Sequence, residues 1–145
     1  MSKQANASFA ELEQWTAESG PLLDVRDLTV EFRTREGVAK AINGASFTLN
    51  PGESLAILGE SGSGKSVTGR AIAGLLPTSP RVRVSGSIKF GGKEMVGADR
   101  QAWDPIRREQ VGMIFQDPLT FLNPTMRIGR QVAESIPRSR EGDRG

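Results

Sequence analysis

Eight consecutive residues constrain this chain more than any other feature. Gly59-Glu60-Ser61-Gly62-Ser63-Gly64-Lys65-Ser66 matches the pattern G-x-x-x-x-G-K-[ST]. Glycines there let the backbone turn tightly and bring successive N–H groups against phosphate oxygens without side-chain clash. A helix beginning near Lys65 aims its positive dipole end at the same anion. In such a setting the Lys65 ammonium reaches β- and γ-phosphates, and the Ser66 hydroxyl ligates Mg²⁺. The flanks suit this reading. Leu55-Ala56-Ile57-Leu58 is an apolar run without alternation, as in a strand buried on both faces of a sheet. Val67, Ala71, Ile72 and Leu75 follow at helical spacing, and Pro77 is expected to stop that helix. The rival reading, a Ser/Gly-rich linker that matches by accident, predicts neither flank.

Composition narrows the chemistry. A length of 145 residues suits one domain of modest size. The excess of 19 Lys+Arg over 17 Asp+Glu is too small to predict nucleic-acid binding. The chain contains no cysteine and no histidine, which excludes disulfides, thiolate or imidazole metal sites, cysteine nucleophiles and imidazole acid–base catalysis. No stretch approaches the roughly 18 apolar residues needed to cross a bilayer, and residues 1–20 lack the apolar core of a signal peptide. A cytosolic protein is the expectation.

The remaining pattern reads as follows. Residues 1–20 are a flexible leader or a loosely docked helix. Leu28, Val30 and Phe32 alternate with Thr29 and Glu31 as a strand, and Ala45, Phe47 and Leu49 alternate as a second one after the turn at Arg35-Glu36-Gly37. Val82, Val84, Ile88 and Phe90 give one or two more strands, ending at Gly91-Gly92. Asp99 to Glu109 suits a short helix, interrupted or started at Pro105. Val111 to Phe115 is a further apolar strand that delivers Gln116 at its end. A neutral amide in that place is able to coordinate Mg²⁺ and orient a water molecule; the plainer alternative is an ordinary polar turn. Asn123-Pro124 suits a helix start, with a stripe at Ile128, Val132 and Ile136. The last nine residues hold no apolar side chain and are expected to be disordered.

Taken together, residues 22–136 resemble the N-terminal part of an ABC transporter ATP-binding subunit, most closely the peptide (dipeptide, oligopeptide or nickel) importer branch. The resemblance is carried by Gly59 through Thr68, by Met113-Ile114-Phe115-Gln116-Asp117-Pro118-Leu119, and by Leu122-Asn123-Pro124. It implies an α/β fold, a P-loop NTPase (RecA-like) core that is incomplete here, with an N-terminal antiparallel β portion and the start of a helical subdomain. The domain limits would be a leader at 1–20, a partial nucleotide-binding domain at 21–136 and a tail at 137–145. The implied cofactors are ATP and Mg²⁺. Gly59, Glu60, Ser61, Gly62, Ser63, Gly64, Lys65, Ser66 and Val67 would form the phosphate site, with Ser66 and Gln116 as metal ligands and Lys65 and Gln116 as the catalytic pair. Phe32 would stack on adenine where the family often has Tyr, against the alternative of a strand-face core residue. Phe121 departs from the Ser usual in peptide-importer relatives.

Larger departures lie in what the sequence lacks. No Leu-Ser-Gly-Gly-Gln signature appears, no four-residue apolar run is followed by Asp-Glu, and the switch histidine has no counterpart. The chain therefore reads as a truncated subunit, through an early stop or a shifted frame, with the flank of its phosphate-loop strand uncovered and negligible turnover. The implied partners are membrane permease subunits, a second ATP-binding subunit and, indirectly, an extracytoplasmic solute-binding protein, at the cytoplasmic side of the plasma (inner) membrane. A non-catalytic fragment that holds Mg-ATP or docks on a partner is the alternative. A P-loop small-molecule kinase is a remote third reading, and the Asn-Lys-x-Asp motif of GTPases is absent.

Overall fold

The computed structural model describes residues 15–117 and 122–134. The first fourteen residues, Phe121, Ile136 and the expected tail lie outside them. The chain divides after Trp103 into two compact units.

The first unit is built on a sheet of strand order β2-β1-β3-β4, antiparallel throughout. Its strands are β1 (Leu23–Thr34), β2 (Gly37–Leu49), β3 (Val82–Phe90) and β4 (Lys93–Glu94). β1 and β2 form a hairpin across Arg35-Glu36, where the Thr34 hydroxyl donates to the Gly37 carbonyl (3.0 Å) and accepts from the Glu36 amide (3.3 Å). β1 is central and pairs with β2 on one edge and β3 on the other. The alternation read from Leu28, Val30 and Phe32 is realised: Val25, Leu28 and Val30 are at most 1% exposed. With Ile42, Ile88, Met95, Ala71 and Trp103 they form the core of this unit. Their order is interrupted at Asp27, whose φ of +48° marks a β-bulge and whose amide donates to the Ser46 hydroxyl (2.8 Å). A further irregularity, between Val30/Ile42 and Glu31/Lys40, leaves Ala41 of β2 without a Cα partner in β1.

The described residues form three α-helices: α1 (Lys65–Ile72), α2 (Arg100–Glu109) and α3 (Ile128–Glu134). α1 ends earlier than Pro77 would impose. Gly74 takes a left-handed φ of +64°, its amide donates to the Ala71 carbonyl (3.1 Å), and the Leu75 amide donates to the Arg70 carbonyl (2.8 Å). Those two bonds make a Schellman cap, so glycine rather than proline terminates the helix. Trp103 packs against this cap so closely that any side chain at Gly74 would run into the indole. α2 is capped by Asp99, whose carboxylate accepts from the Ala102 amide (2.9 Å), and it continues through Pro105 instead of starting or breaking there.

In the second unit α3 begins four residues after Pro124, later than the expected start. Residues 123–126 form an Asx-type turn instead: the Asn123 carboxamide oxygen accepts from the Thr125 amide and hydroxyl. Gln131 braces it by donating to the Asn123 and Met126 carbonyls. Ile128 and Val132 stand 67% and 59% exposed. No helix among the described residues is long and apolar enough to cross a membrane.

Two expected strands do not form. Leu55–Leu58 and Val111–Phe115 join no ladder among the described residues. An apolar run buried on both faces needs a neighbouring strand and a layer on each side. The order β2-β1-β3-β4 places no strand against either segment. Leu58 is accordingly 90% exposed and Ile114 94% exposed.

Candidate phosphate-binding loop

The loop 59–64 ends at the N-terminus of α1. Gly64 is the N-cap residue, at φ +90° and ψ 1°. The first N–H groups of any helix have no intrahelical acceptor, and no side chain caps them here. Gly64 is the only residue type the position tolerates, because a Cβ would need the left-handed conformation and would also strike the Ala41 carbonyl oxygen of β2. Its own carbonyl accepts twice from Thr68, from the amide (2.8 Å) and from the hydroxyl (3.0 Å). Thr68 is buried, 6% exposed.

The loop curls round a single cation. The Lys65 ammonium donates to the Gly59 carbonyl (2.7 Å), the Glu60 carbonyl (2.6 Å) and the Ser63 hydroxyl (3.3 Å). A turn closed by the Ser63 amide on the Glu60 carbonyl (3.2 Å) holds the curl. Gly59 through Ser63 and Ser66 are exposed, while Gly64, Lys65 and Val67 are half-buried. These residues supply what phosphate binding asks of a chain: uncapped helix amides, a lysine within the loop and a hydroxyl one residue on. The crossover is only half formed, since the run entering the loop has no ladder bonds and the helix leaving it is complete.

Phe32 lies near the end of β1, half-buried, between Ala39 of β2 and Val82 of β3 in register. Gln116 belongs to the second unit and sits exposed in a bend after Val111–Phe115. Among the described residues no group of three His, Cys, Asp or Glu gathers to hold a metal ion. Two residues that sequence reasoning missed belong to the loop's support. Thr68 carried a readable signal, a hydroxyl four positions after a helix N-cap. Ala41 carried none, because its place depends on a register shift between two strands.

Comparison with known proteins matches the chain to a family described as ABC transporter over residues 42–143. The chain is similar to the oligopeptide transport ATP-binding protein OppD of Bacillus subtilis (strain 168), at 50% identity over 79% of this chain and 32% of the relative. OppD of Haemophilus influenzae is 52% identical over 80% of this chain and 35% of its own length. The dipeptide transport ATP-binding protein DppD of Lactococcus lactis subsp. cremoris is 44% identical over 83% and 34%. The chain thus spans about a third of the length of the curated relatives it matches.

Proposed function

The chain belongs to the ABC transporter family of ATP-binding proteins, and from that premise we propose that it is the phosphate-gripping portion of a peptide importer's ATP-binding subunit. The observation that carries the proposal is the arrangement at residues 59–66: uncapped helix amides, a left-handed Gly64 and the Lys65 ammonium enclosed by the same loop. The family binds ATP, typically with Mg²⁺, and the donors present fit that ligand. Lys65 exchanges its two carbonyl acceptors and the Ser63 hydroxyl for phosphate oxygens, and the helix amides complete the anion cradle. The Ser66 hydroxyl would hold Mg²⁺, an ion that suits a site with few protein ligands beside a polyphosphate. Phe32 offers a ring face to the base. When bound, Mg-ATP supplies the anhydride whose hydrolysis drives transport in the assembled machine. Permease subunits and a second ATP-binding subunit are the partners, on the cytoplasmic side of the membrane, with peptides as cargo.

A second reading, binding without turnover by this chain alone, is favoured by the sequence itself. It has no histidine and no apolar run ending in Asp-Glu to polarise water. Titration of Mg-ATP into the chain and into Lys65→Ala tests the first point. Binding that the substitution weakens at least tenfold supports the loop as the site; equal affinity overturns it. Phosphate release, measured with and without a full-length partner subunit, separates the two readings. Release only with the partner keeps the catalytic role, and robust release by the chain alone rejects the second reading.

A further inference from the structure

Gly64 and Lys65 share one peptide unit, and its carbonyl end is held. The Gly64 carbonyl accepts the Thr68 amide and the Thr68 hydroxyl, filling both lone-pair directions. In a trans peptide the carbonyl and the following N–H point in opposite directions. Fixing the Gly64 carbonyl on Thr68 therefore aims the Lys65 amide away from the helix, out of its N-terminus. The Ala41 carbonyl oxygen, at the register shift of β2, stands where a Cβ on residue 64 would be, so only glycine fits at the start of this peptide. From these contacts we infer that Thr68 is a positioning residue for phosphate binding: its amide and hydroxyl hold the Gly64 carbonyl and so pre-aim the Lys65 amide at the anion.

Back-bonding of a helical threonine to the carbonyl four residues earlier is common and by itself usually weakens helices slightly. Here the carbonyl is that of the left-handed N-cap, and the hydroxyl is buried with no competing water-exposed role. The bond thus orients a loop amide rather than decorating a helix surface.

The inference rests on the reading that residues 59–66 hold nucleotide phosphates, and the test separates the two. Thr68→Val keeps shape and β-branching and removes the donor; Thr68→Ser restores the donor. Affinities for Mg-ATP and for inorganic pyrophosphate are measured for both variants and the unsubstituted chain, together with thermal midpoints. One lost hydrogen bond predicts a three- to tenfold loss, roughly, for Thr68→Val. The loss is equal for the two ligands because it acts on phosphates alone, and Thr68→Ser returns to within about twofold of the parent. An unchanged affinity in Thr68→Val overturns the inference, as does a Thr68→Ser variant as impaired as Thr68→Val. Should Thr68→Val lose its helix, Thr68→Cys, small and a weak donor, is read in the same way. If the unsubstituted chain binds neither ligand, the phosphate-site reading itself falls and takes the inference with it.

Discussion

β1 and the run Leu55–Leu58 are both apolar segments of strand-forming character, and the molecule treats them oppositely. In β1, Leu28 and Val30 are fully buried, with strands paired along both edges. In the run, Leu55, Ile57 and Leu58 are 46%, 43% and 90% exposed, and no backbone ladder forms. The difference lies in where partners come from. β1 finds β2 across a two-residue turn, at little cost in loop-closure entropy. A strand of the kind the run suggests needs parallel neighbours, which arrive only through crossovers of a dozen residues or more. Burial is thus a property of the company an apolar segment keeps, and hydrophobicity states only the demand.

Substitution at the two sites tests that contrast most strongly. Leu28→Ala should cost about 2–5 kcal/mol in urea unfolding, through lost burial plus a cavity. Leu58→Ala should change stability by less than about 0.5 kcal/mol, because its side chain already faces solvent. Equal costs would erase the contrast. Gly74→Ala probes the boundary of the packed region from another side. The added Cβ meets the Trp103 indole and forces a left-handed conformation on alanine. A loss of about 1–3 kcal/mol and a red-shifted Trp emission are expected. No change in either observable would remove Trp103 from the cap.

The smallest effect concerns Glu94, at the edge of the packed sheet. Partial burial pushes its carboxyl up, but hydrogen bonds from the Ser87 hydroxyl and the Val96, Ile88 and Met95 amides prevail and hold it below the ordinary 4.5. Its contribution to stability is therefore complete above that ordinary value and is lost as pH falls through the lowered folded one. Glu94→Gln should flatten the fall of the thermal midpoint as pH drops below the ordinary carboxyl value of 4.5. An unaltered slope would show that the carboxylate contributes nothing there.

What was legible in the sequence follows the same division. The β1–β2 hairpin and the Lys65 helix were readable because their determinants lie within a few residues of one another. The curl of residues 59–64 at the head of α1 was readable for the same reason, as a local pattern of glycines followed by a lysine. The end of α1 was misread, since Pro77 is the louder signal while Gly74 completes the cap first. The two apolar runs were misread as strands because periodicity records a preference for burial and is silent on whether a neighbour arrives. The seating of Gly64 on Ala41 was invisible, because it depends on a shift of one residue between paired strands.

The three oxygens around the Lys65 ammonium carry a consequence for selectivity. An incoming anion must replace a full set of close acceptors before the lysine lets go of its own backbone. A phosphate chain brings oxygens in surplus and makes that exchange even, whereas chloride, with one centre to offer, leaves two N–H groups wanting. On the proposed phosphate-site reading, the lysine is a placeholder that a many-oxygened ligand displaces more readily than a single-centre anion, so the loop favours polyphosphates.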